Sequence, residues 1–144
     1  MAQQQLSDAK AIVQSLCEYF YQQRQKISLL TFGNQQCQWL IRHSKTPMDM
    51  VPILSAIQAG GGTPLRRALL RISAYLIKRK HLAPAEKQKI FLITDARSRD
   101  KVEDINLIDN AEVYVLDSEN SAIKLNKAQQ LAKRLGAIFI GKAK

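Results

Sequence analysis

Short apolar runs alternate with amphipathic helical patterns along almost the whole of this 144-residue chain. The run at 90–94 is almost entirely apolar, which is typical of a strand covered on both faces of a sheet. Such alternation predicts an α/β fold, in which a mostly parallel, doubly wound sheet carries helices on both faces. The runs at 27–32 and 37–41, joined by a Gly-Asn turn, predict one antiparallel edge strand.

The periodicity and the turn residues set the bounds of each predicted element. The predicted helices cover residues 7–23, 48–58, 64–80, 100–108 and 124–135. The predicted strands cover residues 27–32, 37–41, 90–94, 112–117 and 137–140. We expect Ser7 to cap the first helix and Gly136 to end the last one. Because no linker or repeat interrupts the pattern, a single domain over residues 1–144 is expected.

The balance of charge is strongly basic. The chain carries 22 Lys and Arg against 12 Asp and Glu, a net charge of +10. This favours an acidic partner, either a protein face, a nucleic acid or an anionic surface, and charge alone does not choose among them. The sequence shows neither a membrane-spanning apolar run nor a secretory signal pattern. Its two cysteines are far apart, so we expect reduced thiols and a cytoplasmic location.

Two loops place polar groups at the edges of core elements. The run from Gly60 to Gly62 lets the backbone adopt positive φ, and it leaves the Thr63 hydroxyl at the mouth of a helix that begins near Pro64. Asp95 follows the apolar strand at 90–94 directly. The two side chains suggest one shared polar site, since ligands bind at the carboxyl ends of strands in open α/β sheets. The alternatives are a helix cap for Thr63 and a turn or capping role for Asp95.

Three cations recur at helical spacing after this loop. Arg67, Arg71 and Lys78 are separated by four and seven residues, so they share one face of the predicted helix. Such a row is either a solvated face or a docking surface for an acidic partner. No nucleophile elbow, phosphate-binding loop or dinucleotide fingerprint occurs, so we assign no catalytic residue.

Four stretches together resemble a known family. They are the helix that follows Ala9 with the strand at 27–33, the Gly60–Leu65 loop, the strand end at Asp95 and the strand-helix unit that starts near Leu116. The chain resembles a von Willebrand factor A domain, most closely the carboxyl-terminal domain of magnesium-chelatase D subunits. The family places a strand before its first helix, whereas this sequence opens on the helix itself.

The resemblance implies a metal-ion-dependent adhesion site. Thr63 and Asp95 match two of its Mg²⁺ ligands, but the Asp-x-Ser-x-Ser loop that supplies the others is absent from the sequence. We therefore expect Mg²⁺ binding to be weak, and we expect an upstream extension to encode the missing strand and loop. Without that strand, the strands at 27–32 and 90–94 would pair directly or a second chain would fill the gap, forming an oligomer.

The same resemblance implies a partner. Domains of this type bind an acidic group of another protein through the metal, and here the partner would be an ATPase subunit of the AAA+ type. The chain would then be a non-catalytic part of an ATP-dependent, magnesium-chelatase-like complex. The alternatives are a basic nucleic-acid-binding domain and a non-functional remnant or fragment of a chelatase-like subunit.

Overall fold

The computed structural model describes residues 2–33, 36–57, 64–94, 100–117 and 127–140. Their contacts divide the chain into two compact units, Met1–Pro64 and Leu65–Lys144. The first contains α1 (Ala2–Gln22), β1 (Lys26–Gly33), β2 (Gln36–Lys45) and α2 (Val51–Ser55). The second contains α3 (Leu65–Leu82), β3 (Lys89–Thr94), β4 (Glu112–Asp117), α4 (Lys127–Leu135) and β5 (Ile138–Ile140). The single-domain organisation stays a prediction.

An antiparallel hairpin and a helix form the core of the first unit. β1 pairs with β2, and the register shifts between Ile27 and Leu30, where the ladder is irregular. His43 lies opposite this irregularity with a φ of 42°, and its backbone N–H donates to the Ser28 hydroxyl at 2.9 Å. Cys17 of α1 is buried in a cluster with Ile41, Met50 and Leu54. Burial raises the pKa of the Cys17 thiol, which keeps it protonated.

A three-stranded parallel sheet organises the second unit. Its order is β3-β4-β5, and α4 contacts β4 and β5. One face of the sheet is buried and includes Leu92, Val113 and Val115. On the opposite face the rings of Phe91 and Tyr114 stack with their centroids 5.1 Å apart. The predicted α/β class, with its parallel strands and one antiparallel pair, is confirmed.

Two helices end in the same hydrogen-bonded motif with different residues. After α4, Gly136 has a φ of 69°, and the Ala137 N–H donates to the Ala132 carbonyl at 2.8 Å. After α1, Arg24 has a φ of 56°, and the Gln25 N–H donates to the Phe20 carbonyl at 3.0 Å. Both are Schellman motifs, which require a left-handed residue just after the helix. The prediction that Gly136 ends the last helix is confirmed.

Some predicted elements are wrong. α1 begins at Ala2, so Ser7 lies inside the helix and does not cap it. The predicted helix at 100–108 is a series of turns, with i to i+3 hydrogen bonds ending at Ile105 and Asn110. Its buried residues Val102, Ile105 and Leu107 are spaced by three and two, which does not form a helical stripe.

The strands at 27–32 and 90–94 were expected to pair directly or to be joined by a second chain. Within the described residues β1 and β3 belong to different sheets, so the direct pairing expected between them is not found there. Filling of an open edge by a second chain stays a prediction. The turn expected at Gly33-Asn34 falls partly on residues outside the described ranges.

Candidate partner-binding site

α3 separates its residues into a buried face and an exposed one. Leu65, Ala68, Leu69 and Leu76 are buried, at 4% exposure or less. Arg67, Arg71 and Lys78 are all exposed. The predicted basic row therefore lies on the surface of one helix, as the spacing of four and seven requires. Its role in partner binding stays a prediction.

No acidic side chain occurs on α3 to offset its cations. The helix carries six Lys and Arg residues within Leu65–Leu82. Arg66 and Arg79 form ion pairs with neighbouring segments, at 2.7 Å to Asp104 and at 3.0 Å to Glu86. These hydrogen-bonded pairs raise the pKa of both guanidinium groups, which stay charged. The residues of α3 itself therefore contribute only positive charge to the surface.

The start of α3 is fastened to the segment at 100–104. The Arg66 backbone N–H donates to Asp100 Oδ2 at 2.9 Å, so a residue 34 positions away caps the helix. The Arg66 guanidinium donates to both carboxylate oxygens of Asp104, at 2.7 and 2.8 Å, and to the Lys101 carbonyl at 2.8 Å. This two-pronged geometry is the strongest form of an arginine–carboxylate pair.

A second arginine holds the same segment from α4. Arg134 Nε donates to Glu103 Oε1 at 2.6 Å, and its Nη2 donates to the Asp100 carbonyl at 3.0 Å. The hydrogen bond from Arg134 lowers the pKa of Glu103 to about 2, and the bond from Arg66 lowers that of Asp104 to about 2. We refer to Arg66, Arg134 and the segment at 100–104 as the arginine clasp.

The residues of the clasp lie close in sequence to the predicted metal ligands. Thr63 lies two residues before α3, and Asp95 lies five residues before Asp100. Through Arg66, the start of α3 is fixed to the segment at 100–104. Thr63 and Asp95 themselves fall outside the described residues, so their convergence on one ion stays a prediction.

The described residues offer few donors for a metal ion. Across the part of the chain that the structure describes, no group of three or more His, Cys, Asp or Glu side chains could hold a metal. Thr63 and Asp95 would add one neutral oxygen and one carboxylate, whereas Mg²⁺ prefers six oxygens in an octahedral array. Two such donors do not complete a magnesium site.

Sequence reasoning missed the residues of the clasp. Arg66 stands beside the predicted row, but nothing in its spacing distinguishes it from Arg67. Asp100 and Asp104 were placed on a helix, where i, i+4 carboxylates would have faced solvent. The only available signal was the unusual density of charge at 97–104, which follows a buried strand and precedes buried residues.

A family comparison identifies the fold type. The model of the von Willebrand factor type A domain matches residues 1–97, about two-thirds of the chain. The chain belongs to this family. The matched span of the A-type domain includes Thr63, Asp95 and, of the clasp, only Arg66.

Three proteins are similar to this A-type domain. An uncharacterized protein of Mycobacterium tuberculosis is 30% identical over 132 residues, covering 85% of this chain and 21% of the relative. The magnesium-chelatase 67 kDa subunit of Chlorobaculum tepidum is 27% identical over 163 aligned positions, covering 96% of this chain and 26% of the relative. The subunit of the same name from Chlorobaculum parvum is 37% identical over 70 residues, covering 49% of this chain and 11% of the relative.

The A-type domain is thus related to magnesium-chelatase subunits. It spans roughly a quarter or less of the length of the relatives that it matches. Among the helices of the described residues, none is both long enough and apolar enough to cross a membrane.

Proposed function

We propose that this A-type domain is a protein-interaction module that binds an acidic surface of an AAA+ type ATPase subunit. The observation that carries the proposal is the exposed basic row Arg67, Arg71 and Lys78 on a helix without acidic residues. The relatives named as magnesium-chelatase subunits support a place in a chelatase-like, ATP-dependent complex. In that complex the domain itself would carry out no catalysis.

The charge of the row suits recognition between proteins. Exposed cations on one helix face accelerate encounter with an acidic partner and disfavour basic partners. Because the three cations of the row are exposed on one face of α3, this face is the surface proposed for the partner. Binding should weaken as salt is raised, because exposed charges are screened.

The loops ahead of α3 and after β3 add a second element to the proposal. Thr63 and Asp95 would supply two oxygen ligands of a magnesium-dependent contact to the partner's carboxylate. Further ligands would have to come from outside these two residues, and the basic row does not depend on them. The two elements can therefore be tested separately.

Charge reversal of the row tests the proposal. Arg67→Glu, Arg71→Glu and Lys78→Glu together should weaken binding of the AAA+ type ATPase subunit by about tenfold or more and flatten its salt dependence. Lys133→Glu, an exposed cation on α4, is the matched control and should change the affinity by less than about threefold. Interferometry with the immobilised ATPase subunit gives both values. Equal affinities for the triple variant and the unmodified domain would contradict the proposal.

Nucleic acid is the competing partner, favoured by the net charge of +10. Filter binding of single-stranded DNA over a salt series distinguishes it from a protein. A steep loss of affinity with salt, caused by release of many counterions, would favour nucleic acid. We expect only weak binding, because the exposed face of α3 lacks the aromatic residues on which bases stack.

A further inference from the structure

Exposed apolar residues lie beside the basic row on α3. Leu70 is 46% exposed and Ile77 is 49% exposed, and the small residue Ala74 lies between them and is also exposed. Spacings of four and three place these residues on one stripe of the helix. Two large apolar side chains in register on a surface helix are more than isolated exposed residues, and they indicate a contact surface.

The stripe and the row follow one repeat. Leu70-Arg71 and Ile77-Lys78 are two apolar-basic pairs separated by seven residues, or two helical turns. Leu70, Ala74 and Ile77 then occupy the positions that form the seam of a coiled coil, with Arg71 and Lys78 directly flanking it. In such a seam the flanking charges determine which partner helix is accepted.

The positive charge of Arg71 and Lys78 favours a partner helix that carries carboxylates. We propose that α3 docks an amphipathic helix of its partner, with apolar residues against Leu70, Ala74 and Ile77 and carboxylates facing Arg71 and Lys78. This inference rests on the proposed function, and it names the kind of segment that the acidic partner would present. The absence of acidic residues from α3 disfavours a basic helix, and the apolar stripe distinguishes a helix from a purely electrostatic contact.

The small size of Ala74 fits this geometry. A partner helix approaches most closely where the seam residue is small, and the flanking Leu70 and Ile77 then cover the apolar side chains of the partner. Arg67 lies one turn before Leu70 and extends the same face toward the start of α3. The docked helix would therefore run along α3 toward its first turn.

A designed peptide tests the docking directly. The probe is a fluorescein-labelled helix of about three heptads, with Leu at the seam and Glu at the flanking positions. Fluorescence anisotropy with the full chain should show saturable binding. Leu70→Gln with Ile77→Gln should lower the affinity by about tenfold or more, because both lost contacts are apolar. Arg71→Glu with Lys78→Glu should lower it by a similar factor.

Matched controls separate this contact from general attraction. Met48→Gln, at an 80% exposed apolar residue, and Lys133→Glu should leave peptide binding within about twofold. Since all four α3 residues are exposed, circular dichroism and urea unfolding should match those of the unmodified chain. A peptide with the same Glu content but scrambled Leu positions should bind at least about tenfold more weakly.

Several results would overturn the inference. Equal binding of the scrambled peptide, or unchanged binding by the Leu70→Gln and Ile77→Gln variant, would show attraction by charge alone. The inference would also fail if this variant abolished a self-associated dimer seen by sedimentation, or if it abolished binding to phosphatidylcholine vesicles containing about one quarter phosphatidylserine.

The ATPase subunit separates the two proposals. If it binds the Leu70→Gln and Ile77→Gln variant normally but not the charge-reversed row, the docking inference fails and the proposed function stands. If the peptide behaves as expected but the ATPase subunit does not bind, the proposed partner is wrong and the docking surface stands.

Discussion

At the scale of single residues, two helix ends show how the backbone constrains the choice of side chain. Gly136 and Arg24 occupy equivalent left-handed positions, with φ values of 69° and 56°. Glycine adopts this conformation without steric cost, whereas a residue with a Cβ loses about 1–2 kcal/mol. The residue type at the end of α4 therefore suits the left-handed conformation, whereas the arginine at the end of α1 does not.

Substitutions at Gly136 and at Arg24 should change the free energy of unfolding in opposite directions. Gly136→Ala should lower the free energy of unfolding by about 1 kcal/mol. The added Cβ would lie 3.2 Å from Ile108 Cδ1, the flexible end of a side chain, so the backbone accounts for most of the loss. Arg24→Gly should raise the free energy by about 0.5–1 kcal/mol, since relief of strain exceeds the entropic cost of glycine.

Urea unfolding followed by circular dichroism measures both changes. Gly136→Asn is the control and should lose less than Gly136→Ala, because asparagine tolerates the left-handed region. A Gly136→Ala protein as stable as the unmodified chain would contradict the assignment of this helix end.

The sequence identified one of these two ends in advance. Gly136 follows a periodic helix and precedes an apolar strand, which is a recognised stop signal. Arg24 carries no such signal, because arginine is common both inside helices and after them. Only the hydrogen bonds of Gln25 and Arg24 to the preceding turn reveal the motif.

At the scale of elements, the arginine clasp orders a segment that has no regular structure of its own. The guanidinium groups of Arg66 and Arg134 bind the Asp104 and Glu103 carboxylates, and the Arg66 backbone N–H donates to Asp100. The side chains of Glu103 and Asp104 are about half exposed, so each ion pair is screened by solvent. Their combined effect is expected to be local ordering rather than a large contribution to global stability.

Acid should release the clasp. The pKa values of Glu103 and Asp104 are about 2 in the folded chain, below their ordinary values of 4.5 and 3.8. A depressed pKa contributes stability above the ordinary value, and that contribution is lost as the pH falls toward about 2. Hydrogen exchange of the Arg66 amide should therefore accelerate, relative to its intrinsic rate, between pH 5 and 2.

The Glu103→Gln and Asp104→Asn variant provides the comparison for this titration. Its Arg66 amide should already be less protected at pH 7, and the two proteins should converge in acid. Lys89 and Glu112, whose charged atoms are 4.0 Å apart, offer a second exposed pair, and Glu112→Gln should leave the Arg66 amide unchanged. A constant difference across the pH range would show that these carboxylates do not drive the effect.

The sequence predicts regular elements such as strands better than it predicts contacts between distant segments. β4 was predicted with its observed bounds, since Val113 and Val115 alternate with side chains on the other face. The clasp could not be predicted, because a pair such as Arg66 and Asp104 joins residues 38 positions apart. Local periodicity carries no information about such contacts. Of the predicted site, the structure describes the basic row but not Thr63 or Asp95.

At the scale of the whole molecule, the expected strength of Mg²⁺ binding depends on how many ligands the proposed site contains. Thr63 and Asp95 are its proposed ligands, and the sequence contains no Asp-x-Ser-x-Ser motif. Calorimetry should therefore show weak binding of Mg²⁺ and Mn²⁺ by the chain. Adding a strand and loop from a complete A-type domain ahead of α1 should strengthen binding, because more oxygen ligands then converge.

Asp95→Ala in the extended protein tests the assignment of that ligand. The change should abolish metal binding while leaving the fold intact, and Thr63→Ala should weaken binding with a stability loss of about 1 kcal/mol. Asp109→Ala, at an exposed carboxylate of the second unit, is the control. Tight binding by the unextended chain, equal to that of the extended one, would contradict the assignment.

The uniform charge of α3 also limits how copies of this protein could associate. In a twofold-symmetric dimer each surface patch near the axis meets its own copy. Placing α3 on that axis would set Arg67, Arg71 and Lys78 against the same three cations, over a helix of 18 residues that itself carries no Asp or Glu. We therefore expect a symmetric homodimer to place its axis elsewhere, which would leave the face of α3 to a molecule of different sequence.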